Sequence, residues 1–149
     1  MGDARLDRVT DFVLVHGTTQ SPTGWDRLVA ALDARGHRSQ TVDLARGDEL
    51  SAEDYADEVR RQVPKTAAHP VVVAHSGAGL LLPAAARSLG AQRQVWLAAS
   101  IPDGQRSLLE IVSAAPTDVN AEWLGKDPTN DPVLATYFLL HDCDLATLQ

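Results

Sequence analysis

Pro70-Val71-Val72-Val73-Ala74 is a short apolar run rich in β-branched residues, and it constrains this chain more than any other segment. Such a run suits a strand buried on both faces, as in a parallel sheet. Parallel strands need long crossovers, so helices must separate them. The rest of the sequence supplies both. Phe12-Val13-Leu14-Val15 is a second apolar run, Arg38 to Leu44 reads as a further strand with Val42 and Leu44 as its apolar members, and Val95-Trp96-Leu97-Ala98-Ala99 is a fourth strand. Trp25, Leu28, Val29 and Leu32 follow helical spacing, and Gly36 is placed to cap that helix. Ser51 with Asp54 three residues on resembles a capping box. The helix it opens carries Ala52, Tyr55, Ala56, Val59 and Val63 on one face. Arg60 and Arg61 sit in its last turn, where positive charge suits the dipole, and Pro64 closes it. Gly77 to Leu89 reads as a helix capped by Gly90. The expectation is an α/β fold, with about four parallel strands covered by helices on both faces.

The pattern changes after Asp103. Ser107 to Val112 suggests a short helix, Asp131-Pro132 a helix start, and Val133 to Leu140 the apolar run that follows. No further strand is evident. The expected organisation is a single partial domain over 1–149, with its core at about 11–103 and a helical, lid-like segment at about 104–149. Asp144 could cap another helix, but the sequence stops at Gln149, so the pattern reads as interrupted.

The length of 149 residues suits one domain. A formal net charge of −7 repels phosphate backbones and argues against nucleic acid as a partner. Cys143 is the only cysteine, so no intramolecular disulfide is possible, which fits a reducing compartment. Asp3, Arg5, Asp7 and Arg8 leave no apolar signal core near the start, and no stretch is long and apolar enough for a membrane span. The expected setting is cytoplasmic, without a membrane partner.

The chemistry-bearing segment is Val71 to Gly79, where a buried strand runs into His75-Ser76-Gly77 and a helix begins. Two roles fit Ser76. It is a helix N-cap, a common role for serine, or it is a nucleophile raised above the sheet edge by a sharp strand-to-helix turn. That turn needs small residues two positions either side of the serine, here Ala74 and Ala78 where Gly is usual. The N–H of Gly77 would face a developing oxyanion at the helix start. Gly77-Ala78-Gly79 also invites a dinucleotide reading, but the third glycine of that fingerprint would fall at Leu82, and this is not the first βα turn. The first strand ends in His16-Gly17-Thr18-Thr19, with Trp25 opening the next helix. In serine hydrolases of this architecture the second oxyanion donor comes from that loop.

With Phe12 to Gly17, Trp25, Thr41-Val42-Asp43-Leu44 and Val72 to Gly79 in view, the sequence resembles the α/β-hydrolase superfamily, and within it the small esterase and hydroxynitrile-lyase-like group. Trp96-Leu97-Ala98-Ala99 with Pro102-Asp103 is similar to the strand and loop after the nucleophile helix of that group. The resemblance covers about residues 11–103 well and the remainder loosely, as a lid. It implies Ser76 as nucleophile, backbone N–H groups of Gly77 and Thr18 as oxyanion hole, with Gly17 shaping that loop. It also implies His16 as a structural loop histidine and His75 as a residue that supports or lines the pocket. No cofactor is implied.

The family places an acid and then a catalytic histidine after the serine, on later strands. Here His141, in His141-Asp142-Cys143-Asp144, is the only histidine after Ser76, and Asp103 stands just past the fourth strand. Both are candidates for acid or base, with a surface position for His141 and a turn role for Asp103 as the ordinary alternatives. No metal site is expected, because consecutive side chains converge poorly on one ion. The expected function is an esterase-like serine hydrolase, incomplete in this chain, acting on a small-molecule ester through an acyl-enzyme on Ser76. The alternatives are a non-catalytic binding protein, and a half-enzyme completed by a second chain or a second copy.

Overall fold

A computed structural model describes residues 9–18, 20–44, 50–114, 122, 125–126, 128 and 131–144. Any helix after Asp144 lies outside the described residues. The chain divides into two compact units, 1–104 and 105–149.

The first unit carries the sheet. Its elements are β1 (Asp11–Val15), a 3₁₀ turn (Pro22–Trp25), α1 (Asp26–Asp33), β2 (Arg38–Val42), α2 (Ala52–Gln62), β3 (Val71–Ser76), a second 3₁₀ turn (Gly77–Leu80), α3 (Leu82–Leu89) and β4 (Arg93–Ala99). The four strands are parallel, in the order β2-β1-β3-β4.

The order dictates where the helices lie. The chain leaves β1 for β2 in one direction, then steps back across the sheet to β3 and on to β4. Right-handed crossovers in opposite directions put their helices on opposite faces. The core follows this rule. Val13, Val15, Val42, Val72 and Ala74 face α2 and α3 through Ala56, Val59, Leu82 and Ala85. Leu14, Val71 and Val73 face Trp25, with Phe12, Val29 and Leu32 packed alongside. The direction reverses between β1 and β3, and the carboxyl ends of such strands form the crevice in which α/β proteins bind ligands.

The punctuation expected from sequence is present. Ser51 and Asp54 form a reciprocal capping box, and the hydrogen bonds from Ser51 hold the Asp54 carboxyl below its ordinary pKa. Gly36 and Gly90 take left-handed conformations after α1 and α3, with φ of 76° and 60°. Two expectations need correction. Gly77 to Leu89 is not one helix: the first turn is 3₁₀, and α3 begins at Leu82 with Pro83 near its start. Nor is the sheet covered evenly. Val95 and Leu97 of β4 remain 40% and 45% exposed, although their strand reads as buried on both faces.

The second unit contains α4 (Leu108–Ala114) and α5 (Pro132–Leu139), and no strand among the described residues. Asp131 caps α5 by accepting from the N–H groups of Val133 and Leu134. No helix among the described residues is long and apolar enough to cross a membrane.

Candidate active site

β3 delivers its last residue, Ser76, at the carboxyl edge of the sheet. Its backbone is at φ 55° and ψ −132°, a conformation that costs a residue with a Cβ about 1–3 kcal/mol. Its side chain caps no helix N–H, so the ordinary N-cap role is not the one it plays. The turn is tight because its neighbours are small. Ala74 and Ala78 are buried at 0% and 2% exposure, which accounts for the tolerance of alanine where Gly is usual.

β4 adapts to this turn. The register passes from His75 opposite Leu97 to Ser76 opposite Ala99, leaving Ala98 as the extra residue of a bulge, at φ 44°. The N–H of Ser100 donates to the Ser76 carbonyl at 3.0 Å and closes the irregularity. Gly79 lets the 3₁₀ turn approach this strand. A Cβ there would run into the Ser100 carbonyl and stand 2.9 Å from Ala99 Cβ. Trp96 Nε1–H donates to the Gly79 carbonyl at 3.2 Å across the same contact.

The loop after β1 completes the site from the other side. His16 is buried, with Nδ1–H donating to the Gly17 carbonyl at 2.8 Å and Nε2 accepting from the Leu44 N–H at 3.1 Å. Asp43 Oδ1 lies 3.6 Å from the same Nε2, but the Leu44 N–H already takes that lone pair. Both ring nitrogens thus serve the loop and the end of β2. Gly17 lies so close to the Ser76 turn that a Cβ on it would sit 2.9 Å from Ser76 Cβ and 3.2 Å from His75 Nδ1. The Gly17 N–H donates to Gln20 Oε1 at 3.2 Å, and the Gln20 N–H donates back to the Gly17 carbonyl at 3.1 Å. Thr18 is exposed within this turn.

A pocket of about 200 Å³ opens beside these elements, lined by Gln20, Ser21, Gly24, Trp25, His75 and Leu97. His75 sets its polar wall. Nδ1 lies 2.8 Å from Gln20 Oε1, the ring meets Trp25 edge-on at 6.3 Å, and burial pulls its pKa below the ordinary value. Of the residues singled out from sequence, the structure brings Gly17, Ser76 and His75 together. Gln20 was not singled out, and no local signal marked it. His16 and Ser76 do not themselves line the pocket. Asp103 is exposed in the loop after β4, and His141 is exposed in the turn after α5 of the second unit. No histidine among the described residues hydrogen-bonds to Ser76, and none of these residues form a group of three or more His, Cys, Asp or Glu suited to a metal ion.

A strained serine ending a central parallel strand, with a glycine loop pressed against it, agrees with a match to the alpha/beta hydrolase family over residues 12–146. The chain belongs to the alpha/beta hydrolase family. The chain is similar in structure to polyneuridine aldehyde esterase, with a TM-score of 0.71 at 23% identity over 95% of this chain. It spans 66% of that chain's length. It is also similar to tomato methylketone synthase I, with a TM-score of 0.67, 19% identity, and coverage of 95% of this chain and 64% of that one. A pyrethroid hydrolase from Sphingobium faniae JZ-2 matches at a TM-score of 0.52 and 25% identity, over 62% of this chain and 40% of its own. No curated protein matches the sequence.

Proposed function

We propose that this chain is the nucleophile-bearing part of a serine hydrolase that cleaves small carboxylic esters. The observation that carries the reading is the backbone of Ser76. A serine held at a strained φ without capping a helix is explained by a need to present its hydroxyl, since strain of this kind persists where function requires it. Ser76 Oγ would form a bond to the ester carbonyl carbon, and the N–H groups of Gly77 and Thr18 would stabilise the oxyanion. The carbon–oxygen bond to the alcohol would then break, leaving an acyl-enzyme for water to release. The small pocket against Trp25 and Leu97 suits an acyl or alcohol group of modest size. One structural neighbour, at 25% identity, is a pyrethroid hydrolase, which supports a hydrolytic reading.

A serine hydroxyl is a weak nucleophile until a base takes its proton. Ser76 has no histidine partner among the described residues, which favours a second reading: a half-enzyme completed by another chain or another copy. The exposed apolar residues of β4, an edge strand of the described sheet, favour it too.

Fluorophosphonate labelling followed by intact mass tests the proposal, with Ser76→Ala as control. One adduct, absent in the variant, shows an activated Ser76 and hence a base within the assembly. No adduct, in protein shown to be folded, sinks the catalytic reading for the chain alone. Recovery of the adduct on mixing with a complementing chain would establish the half-enzyme.

A further inference from the structure

We propose that Gln20 is a positioning residue: it locks His75, the pocket-lining neighbour of Ser76, in the tautomer that carries hydrogen on Nδ1, while holding the turn that presents Thr18. The argument follows from which atoms can donate. A backbone N–H is only ever a donor, so the atom of the Gln20 side chain 3.2 Å from the Gly17 nitrogen must be the amide oxygen. That same oxygen lies 2.8 Å from His75 Nδ1. Two acceptors do not bond, so Nδ1 carries the hydrogen. A neutral imidazole has only one, which leaves Nε2 bare. Burial of the ring favours this neutral form.

The same residue holds the loop from both sides. The Gln20 N–H closes the turn onto the Gly17 carbonyl, and its side chain takes up the Gly17 N–H. The Gly17 N–H is therefore committed within the protein and does not serve as an oxyanion donor. The edge contact with Trp25 fixes the His75 ring from another direction. Any ligand reaching His75 thus meets a hydrogen-bond acceptor. Hydroxyl or amide N–H groups are favoured there, and bare carbonyls are not. This rests on the hydrolase reading only in treating the pocket as a substrate site.

The test is imidazole ¹⁵N spectroscopy of the labelled protein near pH 8, where histidines are neutral, with His75→Asn identifying the His75 signals by their loss. The wild-type protein is expected to show a protonated Nδ1 and a bare Nε2 at His75. Gln20→Leu, which removes the acceptor, should move His75 toward the Nε2–H form. Gln20→Glu, which keeps an acceptor at the same reach, should restore the Nδ1–H form and raise the His75 pKa through its charge. A wild-type His75 protonated on Nε2, or a tautomer unmoved in Gln20→Leu, overturns the proposal. Because neither readout needs turnover, it stands or falls apart from the hydrolase reading. The Nδ1–H signature without a Ser76 adduct keeps this inference and removes that one, and an adduct with the Nε2–H signature does the reverse.

Discussion

Gly17 stands so close to Ser76, across the gap between β1 and β3, that there is no room for a methyl group between them. A Cβ added to Gly17 would lie 2.9 Å from Ser76 Cβ and 3.2 Å from both Gln20 Oε1 and His75 Nδ1. None of these can swing away freely, because Ser76 is set by its turn and the other two by each other. Gly17→Ala is therefore expected to destabilise the protein by about 1–3 kcal/mol, as overpacking does. If Ser76 is the nucleophile, the substitution should also slow its labelling by fluorophosphonate. Urea unfolding compared with Gly24→Ala checks the first part, since nothing lies within 4 Å of a Cβ at Gly24. Equal midpoints for the two variants would refute the contact.

The second close approach, at Gly79, sets the position of β4. Here the obstacle is the Ser100 carbonyl, a backbone atom that no rotamer change can move. Ser100 is also the residue whose N–H bonds to the Ser76 carbonyl. Gly79→Ala should therefore cost more than Gly17→Ala, about 2–4 kcal/mol, and should loosen the Trp96 to Gly79 hydrogen bond. Denaturant midpoints would measure the loss, and the near-ultraviolet signal of the tryptophans would report the displaced contact.

The sequence carried the fold because its signals are local. Ser51 with Asp54, Asp131 ahead of Pro132, and glycines 36 and 90 each mark an element end through their own hydrogen bonds or φ angles. The strand positions followed from apolar runs, and the candidate nucleophile from a serine between small residues. What could not be read depended on distant partners. Gln20 acquires its role from His75, 55 residues away, and its neighbours in sequence say nothing of that. The exposure of β4 was hidden for a similar reason: an apolar run shows what a strand would bury, not what is present to cover it. The break before Leu82 did have a marker, since Pro83 is suited to the first turn of a helix and not to its interior.

Acid should weaken this protein in two separate windows. Burial lowers the His75 pKa, so the folded state resists the proton that the unfolded chain accepts at the ordinary value of 6.5. The stability tied to a neutral His75 is fully present above pH 6.5 and is lost as pH falls from there through the lowered folded-state value. The carboxyls of Asp11 and Asp54 are lowered by the Arg38 hydrogen bond and by Ser51 respectively. Their contributions hold above the ordinary value of 3.8 and fade only below it. Urea midpoints recorded from pH 8 down to pH 5 should decline in the wild-type protein and stay flatter in His75→Asn. Parallel slopes would remove His75 as the cause.

The strain at the Ser76 turn is open to direct measurement. Ser76 at φ 55° and Ala98 at φ 44° sit beside each other where β3 meets the bulge of β4, and both pay for a Cβ in a region that glycine enters freely. Ser76→Ala and Ser76→Gly both remove the hydroxyl, so their difference isolates the backbone. Ser76→Gly is expected to be about 1–2 kcal/mol more stable than Ser76→Ala, even though glycine loses more entropy on folding. Ala98→Gly should likewise raise stability by about 1 kcal/mol, whereas Ala99→Gly, with no such φ to relieve, should lower it by about 0.5–1 kcal/mol. Thermal and urea unfolding of the four variants would decide the matter. If Ser76→Gly proves no more stable than Ser76→Ala, the turn stores no strain, and the main structural argument for Ser76 as nucleophile goes with it.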